Sequence, residues 1–167
     1  MAIIVETGAI VDGANSFVSR ADYIAYASTM GLTVTDDALA DVELVKAGQY
    51  INSKEPQLKG YLVERGQPMS FPRTNLIIDG FAWDDTEIPR QVILCQLNLA
   101  LDIRAGIDPY NLPANPNRAV KSEKVDVLEV VYMGSDSQAE LSRSSNWQAL
   151  LASLLRRNGL SIPLVRV

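Results

Sequence analysis

The stretch Thr86-Glu-Ile-Pro-Arg-Gln-Val-Ile-Leu-Cys-Gln-Leu-Asn-Leu-Ala-Leu-Asp-Ile-Arg-Ala-Gly106 decides the architecture. Thr86 reads as an N-cap, Pro89 falls in a first turn that tolerates its missing N–H, and Gly106 marks the stop. Ile88, Val92, Cys95, Leu99 and Ile103 form one stripe, which Ile93, Leu97, Ala100 and Leu101 widen. A helix over 87–105 with so much of its circumference apolar belongs in the middle of a bundle. Leu99 and Ile103 are therefore expected to be buried.

Working outward, the other helices are shorter and amphipathic. Ser19 caps a helix to Met30, with Asp22 at the third position, Gly31 as stop, and Tyr23, Tyr26, Ala27 and Met30 on one face. Thr35 caps a second helix whose first turn holds Asp36 and Asp37, where the helix dipole favours acids. Leu39, Val42, Val45, Gln49 and Tyr50 are expected to line its inner side. The last helix opens at Ser144 or Ser145 and carries the stripe Trp147, Leu150, Leu151, Leu154 and Leu155 before Gly159. Between these, 57–87 has no helical period and reads as a structured loop anchored by Tyr61, Phe71, Phe81 and Trp83. Residues 107–117, with three prolines, read as an extended arm. A strand is expected at 125–132, with a phase break near Val127 that implies a bulge or two covered faces. The resulting fold class is mainly α: a small bundle of about four helices with a minor β element and extended terminal arms. It forms one domain over 1–167, with an N-terminal arm at 1–16, the bundle at 17–158 and a C-terminal arm at 159–167.

The chain has 167 residues, 15 Lys+Arg, 20 Asp+Glu and no His. One domain of this size buries roughly 70% of its unfolded surface. Without His, neither a Ser-His-Asp nor a Cys-His nucleophile pair can be built. With Cys95 alone, a Cys/His zinc site and an intrachain disulfide are also excluded. Met1–Ile10 lacks the marks of a secretory signal, and no run approaches the ~20 apolar residues of a membrane span. Charge is uneven: residues 1–45 hold seven acids against Arg20, whereas four arginines and no acid follow Glu140.

Candidate chemistry is sparse. Asp84, Asp85 and Glu87 cluster, as do Asp36, Asp37 and Asp41, but both groups sit at expected helix N-termini, where capping accounts for them. Cys95 lies on the apolar stripe and reads as a buried, inert thiol. Gly60 and Gly66 lack the context of a phosphate-cradling loop. No cofactor, catalytic residue or metal site is expected, and the chain does not read as an enzyme. Lys59, Arg65 and Arg73, interleaved with Tyr61 and Phe71, could form a platform for single-stranded nucleic acid. The net charge of −5 argues against it.

Several pieces in order carry a resemblance: Gly13-Ala-Asn-Ser-Phe-Val-Ser19, Asp22-Tyr-Ile-Ala-Tyr26, Lys46-Ala-Gly-Gln-Tyr-Ile51, Lys59-Gly60, Met69-Ser-Phe-Pro-Arg73 and Glu87-Ile-Pro89. Together with the strand and the closing helix, they resemble a tailed-phage family of head-completion proteins, also called head-tail connectors or adaptors. Genomes often label such chains DnaT-like single-stranded-DNA-binding proteins. Phe71 stands where the family usually has Trp. The resemblance implies a structural virion protein at the neck, one copy of a typically twelve-fold homo-oligomeric ring. That ring would sit under the portal, extend the DNA channel and join a neck or tail protein. Genomic DNA would pass through its lumen without sequence-specific binding, and the isolated chain is expected to have no specific nucleic-acid affinity. The alternative is a single-stranded-DNA-binding protein, which would need a basic, aromatic-lined groove.

The C-terminal arm Leu160-Ser-Ile-Pro-Leu-Val-Arg-Val167 is apolar enough to need a partner, and Pro163 restricts it to an edge or docking strand. It either packs on its own domain or reaches another chain. The preferred expectation is the second, with Arg156, Arg157, Leu160, Ile162, Leu164, Val165 and Arg166 contacting the portal that the resemblance implies.

Overall fold

The computed structural model describes residues 2–110, 123–125, 128–130 and 146–156. Its helices are α1 (Arg20–Thr29), α2 (Asp37–Ser53), α3 (Arg90–Arg104) and α4 (Asn146–Leu154). Six short strands pair as three antiparallel two-stranded sheets: β1 (Tyr61–Leu62) with β2 (Arg73–Thr74), β3 (Leu76–Ile78) with β4 (Phe81–Trp83), and β5 (Glu123–Val125) with β6 (Leu128–Val130).

The central helix is the one expected, shortened at its start. It opens with Pro89 at the N-cap position rather than at Thr86. It packs against both α2 and α4. Val92, Cys95 and Leu99 are fully buried, whereas Ile103 is half-buried near the exposed end. Ser19 caps α1 as expected, accepting from the Asp22 N–H and donating to its carboxylate at 2.6 Å.

Two expectations for α2 are corrected. Asp36, not Thr35, is the N-cap, its carboxylate accepting from the N–H groups of Ala38 and Leu39. Of the expected inner side, Val45 and Tyr50 are buried, but Leu39, Val42 and Gln49 are exposed, and the buried face is completed by Ala40, Leu44, Ala47 and Ile51. The helix turns this way because Asp41 and Glu43 each have a partner inside. Arg20 grips Asp41 with two hydrogen bonds, at 2.7 and 2.8 Å. Tyr23 Oη donates to Glu43 at 2.7 Å, and Arg104 pairs with the same carboxylate. Paired acids can be buried, so polarity alone misleads about which face points in.

The mainly-α fold class is also corrected: the architecture is mixed α/β, four helices with small antiparallel sheets. The difference lies mostly in 57–87, where four short paired strands interrupt what reads from sequence as a loop. Ile78-Asp79-Gly80-Phe81 is a two-residue hairpin, with Asp79 at φ 53° and Gly80 at φ 85°. Both values suit the primed turns whose twist matches the flanking strands. Asp-Gly between apolar runs is the sequence signal for this turn. The strand expected at 125–132 is instead divided. Val125 faces Leu128 across an antiparallel pair, so the phase break near Val127 falls between two strands.

A polar group organises the core. Gln96, fully buried in α3, accepts from the Phe17 N–H at 2.8 Å and donates to Ser16 Oγ and the Leu44 carbonyl. It ties the N-terminal segment to α2. That segment turns back on itself: the buried Glu6 carboxylate accepts from the N–H groups of Gly8, Ile10 and Val11. Tyr110 N–H binds Asp108, and Pro109 is buried; the rest of the proline-rich arm lies outside the described residues. No helix among the described residues is long and apolar enough to cross a membrane.

Candidate nucleic-acid interface

Residues 57–59 and 154–156 run antiparallel and are pinned together. Lys59 N–H donates to the Leu154 carbonyl at 2.9 Å, and Arg156 N–H to the Gln57 carbonyl at 2.7 Å, around a Leu58–Leu155 bridge. The clip delivers the end of α4 to the start of β1. Arg156 then donates through Nε to the Leu58 carbonyl and through Nη2 to the Gly60 carbonyl, both at 2.8 Å. Its guanidinium lies 5.2 Å from the ring centre of Tyr61, a cation–π contact. Lys59 Nζ donates to the Ser153 carbonyl at 2.7 Å.

Behind this surface Arg73 is buried and spends three of its five N–H donors on the carbonyls of Lys59, Ser70 and Gly60. Burial lowers its pKa; the nearby Glu55 carboxylate opposes that shift, and the Arg156 charge adds to it. Gly60 sits between these groups at φ +70°, and a Cβ there would meet the Thr74 carbonyl oxygen at 2.6 Å. Only glycine lets β1 and β2 close at this point.

The outcome is a shallow recess lined by Lys59, Gly60, Tyr61, Asn75, Ile77 and Arg156. Tyr61 is 61% and Ile77 57% exposed. The ion pairs among the described residues involve Arg20 and Arg104 only, so Lys59, Arg73 and Arg156 make no direct ion pair with a carboxylate there. Arg156 has spent two of its five N–H donors and Lys59 one of three. An aromatic face with free cationic donors at its rim can stack a base and hold a phosphate.

The structure divides the basic-aromatic set expected from sequence. Lys59 and Tyr61 are on the surface together, and Arg65 is exposed in the loop after β1. Phe71 and Arg73 are buried, the Phe71 ring packing edge-on against Phe17 at 6.1 Å. Arg156, expected to reach another chain, lines this recess. Nothing local marks it, because its partners lie 96 and 98 positions away. Arg157, Leu160, Ile162, Leu164, Val165 and Arg166 lie outside the described residues. Of the acidic clusters, Asp36 caps α2, Asp37 and Asp41 bind Arg20, and Asp84, Asp85 and Glu87 are exposed. Among the described residues no three His, Cys, Asp or Glu side chains gather as a metal site. Cys95 is enclosed, and burial pushes its thiol up to about 12.

Fold and site together define a small mixed α/β domain with a basic, aromatic surface. A family model described as "Putative DnaT-like ssDNA binding protein" matches residues 1–167, and the chain belongs to that family. No curated protein and no solved structure matches the chain.

This membership overturns the head-tail connector reading, and with it the twelve-fold ring, the portal and neck partners, and the DNA that passes unbound. The structure shows why the motifs misled. Ser16 and Phe17 bind Gln96, Asp22 bonds with the Ser19 cap of α1, Ala47 and Ile51 are core, and Met69, Phe71 and Arg73 are buried. Those pieces build the fold, so they carry no information about a portal or a ring.

Proposed function

We propose that this protein binds single-stranded DNA at the recess formed by Lys59, Tyr61 and Arg156. The observation that carries the reading is the exposed Tyr61 ring, backed by the Arg156 guanidinium and flanked by Lys59, with no carboxylate pairing either cation among the described residues. The family description supports it. Bases stack on Tyr61 while the two cations meet phosphates. The role is binding; with no His and a buried lone Cys, the chain offers no His- or Cys-based nucleophile pair at the recess. A net charge of −5 opposes long-range attraction. Recognition is therefore short-range, through stacking and a few phosphate contacts.

Fluorescence anisotropy of a labelled oligothymidylate at ~50 mM salt tests this. Tyr61→Ala should weaken binding about 5- to 150-fold, the effect of losing one stacked base at ~1–3 kcal/mol. Arg156→Ala should reduce the slope of log affinity against log salt by about 0.7 for each phosphate that the arginine neutralises. No binding by the folded protein, or binding indifferent to Tyr61→Ala, refutes the assignment.

A further inference from the structure

We infer that the bound strand has a second stacking subsite at Tyr110 and Lys54, so that the interface is a strip with two aromatic stations. The inference rests on the single-strand reading above but is carried by a separate set of contacts. Tyr110 is 64% exposed, yet it is held in place. Its ring packs edge-on against Tyr50 at 5.2 Å, its N–H binds Asp108 at 2.9 Å, and the preceding Pro109 is buried. Tyr50 in turn packs edge-on against Trp147 at 5.3 Å, and Lys54 Nζ lies 4.8 Å from the Tyr50 ring centre. Tyr110 is thus an exposed ring braced by the buried Tyr50 ring, and the Lys54 ammonium lies on Tyr50 beside it.

The fold ties the two stations to opposite ends of α4. From the end of α2 the chain runs alongside α4, with Tyr50 against Trp147 at its start and Lys59 bonded to Ser153 and Leu154 at its end. Within α4, Trp147 and Leu154 are seven residues apart, which is about 10 Å at 1.5 Å per helical residue. At ~3.4 Å per stacked nucleotide, about three nucleotides cover that distance, and an extended strand covers it with fewer. Lys54 and Lys59 bracket the strip, and Glu55 is the one acid in 54–61. The ligand is thus a short single strand that touches bases at both ends and phosphates between.

A length series of oligothymidylates, from two to eight nucleotides, separates this from the one-site reading. Wild-type affinity should climb steeply once the oligomer spans both stations, then level off. Tyr110→Ala should weaken the eight-nucleotide strand about 5- to 150-fold and leave the two-nucleotide ligand unchanged at Tyr61. Tyr110→Phe keeps the ring and should bind as wild type, which shows that stacking and not folding is read. If Tyr110→Ala binds the long strand normally while Tyr61→Ala does not, the second station is wrong and the first stands. If both variants bind normally, both are wrong.

Discussion

Gln96→Leu is the sharpest test of how the core is held. The Gln96 amide meets three elements at once: it accepts from the Phe17 N–H and donates to Ser16 Oγ and the Leu44 carbonyl, at 2.8, 2.8 and 2.9 Å. Leucine fills similar space but offers no polar atom. Ser16 Oγ keeps its bonds with Val18, and the Leu44 carbonyl sits inside a helical turn that has its own N–H partner. Phe17 N–H, in a residue only 4% exposed, is left with nothing. An orphaned buried donor costs about 1–3 kcal/mol, and the apolar burial that leucine gains works against part of it. A net loss of at least about 1 kcal/mol is expected. Gln96→Ala leaves the same orphan and adds a void, so it should lose about 2–4 kcal/mol. At this chain length each kcal/mol lowers Tm by roughly 2–4 °C. Urea unfolding followed by the fluorescence of buried Trp147 measures both, with an unchanged m value confirming that stability alone moved. If the leucine variant is as stable as wild type, the hydrogen bonds do not hold the N-terminal segment and the reasoning fails.

Leu99→Ala, at a fully buried position of α3, should lose about 2–5 kcal/mol in the same assay; a loss below about 1 would mean α3 is not the centre. Gly60→Ala places a Cβ against the Thr74 carbonyl at positive φ, so the folded variant should lose oligonucleotide binding along with stability, and unchanged binding would show that β1 and β2 need no close approach there. Alkaline pH should destabilise the protein, because burial raises both the Cys95 thiol, to about 12, and the Tyr23 hydroxyl above their ordinary values. The neutral forms favour the native state: their contribution is whole below the unfolded pKa values, near 9.0 and 10.0, and is lost as pH rises through the native ones. Tyr23→Phe should flatten the fall above pH ~10, and an identical pH profile in that variant would remove Tyr23 as a cause.

Helices are legible in this chain where apolar spacing and caps agree. Ser19 with Asp22, the stripe Val92, Cys95 and Leu99, and Trp147, Leu151 and Leu154 are all readable because a helix repeats its contacts every three to four residues, so a local pattern carries the message. The Asp79-Gly80 hairpin also has a local signal, a turn that demands positive φ at both positions, but its flanking strands are too short for their alternation to stand out from a loop. Three other features cannot be read locally. The inward face of α2 depends on Arg20 and on Tyr23 with Arg104 arriving to pair with Asp41 and Glu43, and a paired acid can be buried where an unpaired one cannot. Gln96 looks like a polar gap in an apolar helix until Ser16, Phe17 and Leu44 surround it. The candidate site exists only because 154–156 zips onto 57–59, which puts Arg156 over Tyr61. Spacing along the chain encodes which side chains share a face of one element. Which charges meet across elements is decided when the backbone closes, and in this protein the aromatic–cation surface is made at that step.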